Sequence, residues 1–363
     1  MSARIILSNA ILGPRVFLSL SGLGFAGTFI VFNSGDGGIS SSSPGLYIAA
    51  LLLLIYSLSI LVKCNYYLSR HTVIDLIAAL FLVIYSAAQS YVNDEDIVNA
   101  VGRNGFLIIT LFLTRYINSY NAKKIFSALC YVFAVEVFIR FYSGAASFDG
   151  LYSLKQSIIF PDTNFIGVVI APVVALLWSF RHHLFLPSLM LILLTASRTA
   201  YIGLLALRFS LAFPIISLIG LISGLIILLV FKDIIFLFLY NLDGSLATKI
   251  DIFNTSIRLL SDAQSMLWGY GKNGVLEYAI DETGRQLHVG HTLPGNISQY
   301  GVVLPISVLL LSLRFLDAED RVPFFFYLMA VGLSGLFPYA YIGFAAIFYK
   351  AAKITIRKNE VSR

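Results

Sequence analysis

The chain has 363 residues, of which 58% are apolar and 12% charged, with a formal net charge of +6. A soluble domain of this length carries roughly twice that charged share, about 25%, so a disordered chain and a single soluble core are both excluded. The positive balance does not point to nucleic acid, because Lys and Arg stand in short clusters between apolar runs, which is the pattern of membrane topology signals.

Arg4 and Arg15 come before an apolar run that lacks a small-residue cleavage site, so the N-terminus reads as a retained first span. Apolar runs then recur as far as Phe348 and leave no room for a large soluble domain. The expected fold is all-α and polytopic, with about twelve transmembrane helices. Hydropathy sets them near Ile11–Phe32, Gly45–Val62, Thr72–Val92, Asn104–Ile117, Lys124–Tyr142 and Thr163–Phe180. The remaining spans are Leu184–Ser197, Thr199–Phe213, Pro214–Phe231, Thr292–Phe315, Pro323–Leu336 and Tyr339–Tyr349. Several are shorter than the roughly 20 residues of a full crossing. The pairs around Arg198 and Phe337 read as two crossings, as one long kinked helix, or as a hairpin that does not cross fully.

Charges between the spans set a direction. Arg4, Lys63 with Arg70, Lys123 with Lys124, Arg181 with two histidines, Arg208, Arg314 with Arg321, and Lys350 to Arg363 all fall on one side. By the positive-inside rule that side is cytoplasmic, which puts both termini there and makes the span number even. The opposite face carries Gly35–Pro44, Asn93–Asp96, Ser143–Asp162 and a long segment from Lys232 to His291. That segment begins KDIIFLFLYNL, an apolar stretch suited to the membrane interface. An amphipathic helix is expected next, with Ile250, Phe253, Ile257, Leu260 and Leu267 on one stripe and Asp251, Thr255, Arg258 and Asp262 on the polar face. The segment then turns through the Gly-rich WGYGKNG and ends at GRQLHVGH. No internal repeat is visible, and the low-complexity tract is confined to Ser40–Ser43.

Positive charges on the non-cytoplasmic face oppose the topology rule: Arg103, Arg140, Lys155, Arg198, Lys249, Arg258, Lys272 and Arg285. Arg140 and Arg198 adjoin apolar helices at membrane depth, where an unpaired arginine costs at least about 2.5 kcal/mol. Two readings stand for Arg140: a substrate contact, or one half of a structural pair with Glu136 one turn earlier. Two also stand for Arg258, a functional cation or a surface pair with Asp262. Arg198 has no acidic neighbour in sequence and reads as functional. Lys249, Lys272 and Arg285 read as solvated loop charges. Several arginines facing one pocket suit a phosphorylated anion, since guanidinium grips phosphate oxygens in a fork. His288 and His291 have a spacing that could hold metal, but no Cys or Glu cluster accompanies them, so neither a metal nor another cofactor is expected. A neutral histidine beside such a pocket suits a general base, and a histidine without a role is the other reading for His288. Cys64 and Cys130 have neither disulfide-framework nor metal spacing and read as apolar positions.

Three stretches resemble motifs of the O-antigen polymerase and ligase superfamily. ASRTAYIGLL (Ala196–Leu205) resembles its Ser-Arg motif, and RLLSDAQSMLWGYGKNG (Arg258–Gly274) its loop segment, in which an arginine precedes an amphipathic helix and a Gly-x-Gly turn. GHTLPGNISQYG (Gly290–Gly301) is similar to its histidine motif, although Thr292 stands where the family commonly has Asn. PDTNFIG (Pro161–Gly167) is similar to the Pro-Asn that opens an earlier span. The resemblance covers the C-terminal two-thirds of the chain, with the motifs in the family's order.

The resemblance implies a single GT-C-like transmembrane glycosyltransferase domain over residues 1–363, with residues 232–291 as a periplasmic loop. Such proteins work in the inner membrane of Gram-negative bacteria and take a glycan from undecaprenyl diphosphate to a hydroxyl acceptor, without metal. The implied partners are undecaprenyl-diphosphate-linked oligosaccharide repeat units and membrane lipids, with room for a chain-length regulator. His291, Arg198 and Arg258 are the expected catalytic residues, and Arg140, Arg103, Asn164 and His288 the expected substrate contacts. The modest loop favours a polymerase, which joins one repeat unit to another, over a ligase, which moves the chain to lipid A–core. From another class, a lipid-linked glycan transporter would line a central cavity with ionisable groups and show two related halves.

Overall fold

The computed structural model describes residues 70–97, 101, 119–149, 151–154, 163–242, 244–260, 263–271, 293–333 and 339–361. Among them the chain is all helical and contains no strand. The helices are α1 (Arg70–Val92), α2 (Ser119–Tyr142), α3 (Leu151–Leu154), α4 (Thr163–Ser179), α5 (Phe185–Leu193), α6 (Arg198–Ala212) and α7 (Pro214–Leu242). They continue with α8 (Gly244–Leu259), α9 (Ala263–Trp268), α10 (Leu293–Tyr300), α11 (Val303–Phe315), α12 (Ala318–Leu333) and α13 (Tyr339–Val361). The first, second and fourth expected spans lie outside the described residues, which leaves the expected total of twelve unmeasured.

Helix α4 is the axis of the bundle. Its residues from Val168 to Leu177, apart from Pro172, all belong to the buried apolar core, as befits a helix that is apolar all round. Helices α6 and α13 pack along it, α12 covers α6, and α2 and α11 cover α13. Gly167 on α4 sits so close to α6 that an added Cβ would meet the Ala200 Cβ at 2.6 Å. Pro172 has no N–H, which leaves the carbonyl four residues back without its helical donor. That carbonyl belongs to Val168, and the Tyr327 hydroxyl of α12 donates to it.

Local chemistry explains where the helices stop. The Ser197 hydroxyl caps α6 by accepting from the Ala200 N–H at 3.2 Å. Pro214 keeps the preceding Phe213 out of helical geometry (φ −136°, ψ 64°), so α6 ends at Ala212 and α7 starts at the proline. Helices α9 and α10 each end on a glycine in the left-handed region, Gly269 (φ 70°) and Gly301 (φ 74°).

Several expected boundaries shift. The expected span Leu184–Ser197 is a nine-residue helix, about 14 Å long at 1.5 Å per residue. It is followed by a turn in which Ala196 has φ 49°. The pair around Arg198 is therefore two helices joined by a turn, and α5 is far shorter than a crossing. The expected end at Phe231 is a kink (φ −112°, ψ 21°): the helix goes on to Leu242, so the apolar start of the expected loop is helical. Thr292–Phe315 divides at Gly301 into α10 and α11, and α13 runs past Tyr349 to carry Lys350 to Arg357. The expected stripe on the loop is also rotated. Of its members Ile250 is buried and Phe253 and Leu260 are half-buried, but Ile257 and Leu267 are exposed, whereas Ile252, Ser256 and Leu259 are buried at i, i+4 and i+7. Leu267 cannot share that stripe, because it belongs to α9.

Val73–Val92 is long and apolar enough to cross a membrane, and Pro214–Leu228 with Val230–Phe238 passes the same test as a pair bent by 63°. Gly167–Ser179 and Val303–Phe315 are apolar but shorter. The outer faces of α1 and α7 present Ile77, Leu80, Ile84, Ile215, Ile219, Ile226 and Val230, each more than half exposed.

Candidate functional site

Helices α4 and α6 start at the same end of the bundle. Gly167, in the second turn of α4, faces Thr195, Ser197 and Ala200, while Ser179 and Ala212 line one cavity at the far end. Two of the four motif stretches, PDTNFIG and ASRTAYIGLL, are thus in contact. The turn between α5 and α6 is fastened from several directions. The Thr195 hydroxyl donates to the Ile192 carbonyl at 2.6 Å and accepts from the Ser197 N–H at 3.3 Å. The Tyr201 hydroxyl donates to the Leu193 carbonyl at 2.9 Å.

Arg140 supplies the remaining tie. Its Nη2 donates to the Leu194 carbonyl at 2.7 Å, and its Nη1 to the Leu154 carbonyl at 3.4 Å. Glu136 Oε2 lies 3.8 Å from its Nε, and the two side chains are 0% and 1% exposed. Of the two readings open for Arg140, this burial and these partners fit the paired, structural one. What the pair holds is the main chain leading into Arg198.

Arg198 is the first residue of α6 and is exposed, although Ser197, Thr199 and Ala200 around it are buried. It projects from a capped helix start, where the positive end of the helix dipole adds to its own charge. Arg258 lies in the last turn of α8 and is also exposed. Asn164 lies in the first turn of α4. Arg103, His288 and His291 lie outside the described residues, as does Asp262, the expected partner of Arg258.

The other two motif stretches also meet. The Tyr270 N–H donates to the Ser298 carbonyl at 2.9 Å, and the Val302 N–H to the Met266 carbonyl at 2.8 Å. Trp268 stacks on Tyr85 of α1 with centroids 5.4 Å apart. The Tyr85 hydroxyl donates to the Leu267 carbonyl, and a Cβ on Gly301 would collide with both of those groups. Gln89 Nε2 donates to the Gln299 carbonyl at 3.3 Å, and Asn93 Nδ2 to the Trp268 carbonyl at 3.3 Å. Asn296, Ser298 and Gln299 are all buried at this junction. The sequence motifs mark the α9 and α10 sides of it. The contribution of Tyr85 and Gln89 from α1, and of Asn93 just after it, carries no sequence signal, because nothing in an apolar helix shows which loop it will meet.

The opposite end holds a separate charged cluster. Asp317, Glu319 and Asp320 could geometrically ligate a cation, but the Lys353 ammonium lies among them, 3.3 Å from Asp317 and 2.5 Å from Glu319 and bonded also to Asp320. The Tyr349 hydroxyl donates to Asp320 at 2.7 Å. Arg314 pairs with Asp75 at 3.0 Å, and the Lys350 Nζ donates to the Phe315 carbonyl at 2.9 Å. Cys130 is a free thiol that packs against the core.

No family model matches the chain, and no curated protein or solved structure does either.

Proposed function

We propose that this chain is a multi-pass, GT-C-like glycosyltransferase of a Gram-negative inner membrane, with about twelve spans and its site facing the periplasm. In this reading it is an O-antigen polymerase, moving a glycan from undecaprenyl diphosphate to the terminal sugar hydroxyl of another lipid-linked repeat unit. The membrane part is supported by the low charge of the chain and by the isoleucine and leucine side chains that α1 and α7 turn outward, an exposure suited to contact with lipid. The enzymatic part is supported above all by the mounting of Arg198 on a turn tied by Arg140, Thr195 and Ser197. A cation held in advance at a fixed place lowers a barrier most where charge develops in the transition state.

In the reaction the acceptor hydroxyl oxygen attacks the anomeric carbon. The bond from that carbon to the diphosphate oxygen breaks, and undecaprenyl diphosphate leaves with the electron pair. Arg198 and Arg258 are assigned to the charge growing on the leaving diphosphate. His291 is assigned to the proton released by the acceptor hydroxyl. Arg103, Asn164 and His288 are the remaining substrate-contact candidates.

Cells carrying Arg198→Ala or His291→Ala in place of the native chain are expected to make lipopolysaccharide with single repeat units and no ladder on a gel. Loss of a positioned base costs about 10²–10⁴-fold in rate. A normal ladder from either variant, at native protein level, removes that residue from the mechanism.

A further inference from the structure

The end of the bundle opposite Arg198 contains a half-open cavity of about 530 Å³ between the ends of α4 and α6 and the start of α12, lined also by α13. Three cations line it, and their surroundings differ. Lys353 is held by Asp317, Glu319 and Asp320, and Arg357 is bonded to Glu319. Arg208 has no carboxylate partner among the described residues. The Trp178 ring lies under its guanidinium, 5.5 Å from the carbon to the ring centre. Its Nε is shielded from solvent and has no hydrogen-bond partner among the described residues.

Arg208 is half-buried, and the fixed fork of N–H donors on its guanidinium calls for an acceptor. Stacking on an indole covers one face of the guanidinium and leaves the donors on its edge available. The acidic side chains of the cavity do not supply that acceptor, because Lys353 and Arg357 already occupy them. The wall on the other side is apolar, made by Leu176, Phe180, Leu211 and Pro214. A cation without a counter-ion beside an apolar wall fits an anion that carries a hydrocarbon.

We propose that this cavity binds a phosphate ester, with Arg208 gripping the phosphate and Arg357 assisting from the rim. The apolar wall would receive the hydrocarbon of an anionic phospholipid, as basic pockets between membrane helices do at the cytoplasmic side. The lipid source rests on the membrane reading above; the phosphate contact does not, and neither depends on glycosyl transfer.

The full chain, purified in detergent, is titrated separately with phosphatidylglycerol, phosphatidylcholine and inorganic phosphate, with binding followed by native mass spectrometry and by the thermal midpoint. Phosphatidylglycerol is expected to bind and raise the midpoint, and phosphatidylcholine to do so far less. Arg208→Gln is expected to weaken phosphatidylglycerol roughly tenfold, the effect of about 1.4 kcal/mol. Arg208→Lys keeps the charge without the fork and is expected to weaken it less. If Arg208→Gln does not fold, Arg357→Gln gives the same reading, with a severalfold loss expected. A response to inorganic phosphate but not to phosphatidylglycerol, absent in Arg208→Gln, supports the phosphate site and overturns the lipid as its source. Equal binding of the two lipids, or unchanged phosphatidylglycerol binding in Arg208→Gln, overturns the proposal.

Discussion

Arg140 and Lys353 lie at opposite ends of the bundle and are both almost or wholly out of solvent, yet they are stabilised by different groups. Lys353 faces three carboxylates, and one of these, Asp320, also accepts from Tyr349. These bonds join side chains and lock α13 to the start of α12. Arg140 has one carboxylate at 3.8 Å and two main-chain carbonyls, those of Leu154 and Leu194. Its bonds fix backbone rather than other side chains, and the backbone they fix leads directly into Arg198. The same cost of burying a cation thus yields a helix lock at one end and, at the other, a fixed main chain leading into Arg198, the residue proposed to act on the substrate.

The largest expected effect tests that tether. Arg140→Met takes the Arg140 cation from beside buried Glu136 and one donor from each of the Leu154 and Leu194 carbonyls, and is expected to cost about 3–5 kcal/mol in denaturation of the purified protein. Adding Glu136→Leu removes the buried carboxylate as well and is expected to restore most of the stability, since a buried pair replaced by apolar groups is often neutral. Glycosyl transfer is expected to stay low in the double variant, because the Leu194 carbonyl is still untethered. Full recovery of transfer along with stability would reduce Arg140 to a helix lock like Lys353.

A smaller loss is expected from Gly301→Ala, where the α9 turn docks. The alanine would have to hold φ 74° with its Cβ against the Leu267 carbonyl and the Tyr85 hydroxyl. The backbone strain alone is of order 1–3 kcal/mol. The same denaturation measurement checks it, and an unchanged midpoint would show that the α1–α9–α10 junction is loose.

The smallest effect belongs to the helix lock. The hydrogen bond from Lys353, followed by that from Arg357, holds the Glu319 carboxyl below the usual range. The folded state therefore favours the carboxylate. Its contribution is complete above the ordinary value of about 4.3 and is lost as pH falls through the lower folded value. Glu319 is 58% exposed, so the contribution is limited to about 1 kcal/mol or less by solvent screening. The thermal midpoint of Glu319→Gln, followed from about pH 6 to pH 3, is expected to fall less steeply on the acid side than the native one. Parallel acid limbs would contradict the lock.

The parts of this architecture that were legible in the sequence are those written in local chemistry. The helices expected from Thr72, Thr163 and Thr199 match α1, α4 and α6 to within two residues, and that from Lys124 matches α2 except for an earlier start at Ser119, because long apolar runs leave little choice and α6 is also capped by Ser197 and stopped before Pro214. The possible Glu136–Arg140 pair was legible from spacing. The kink at Phe231 and the rotated stripe on α8 were not. Phe231 carries no Pro or Gly to announce a break, and which α8 residues are buried depends on α7 and α10 packing against that helix. Pro172 signals that a helical carbonyl lacks a donor, but only the folded chain reveals Tyr327 as its replacement. Likewise Lys353 is one of several cations of a basic C-terminal stretch until α13 brings it to Asp320.

The most direct test of the central claim is the product formed by the purified, full-length protein reconstituted with defined undecaprenyl-diphosphate-linked repeat units and nothing else. A polymerase extends them into dimers and longer lipid-linked chains, and Arg198→Ala is expected to abolish that extension. Transfer only when lipid A–core is added would instead identify a ligase. No glycosidic bond under either condition, from protein whose native fold is verified, would contradict the enzymatic reading altogether.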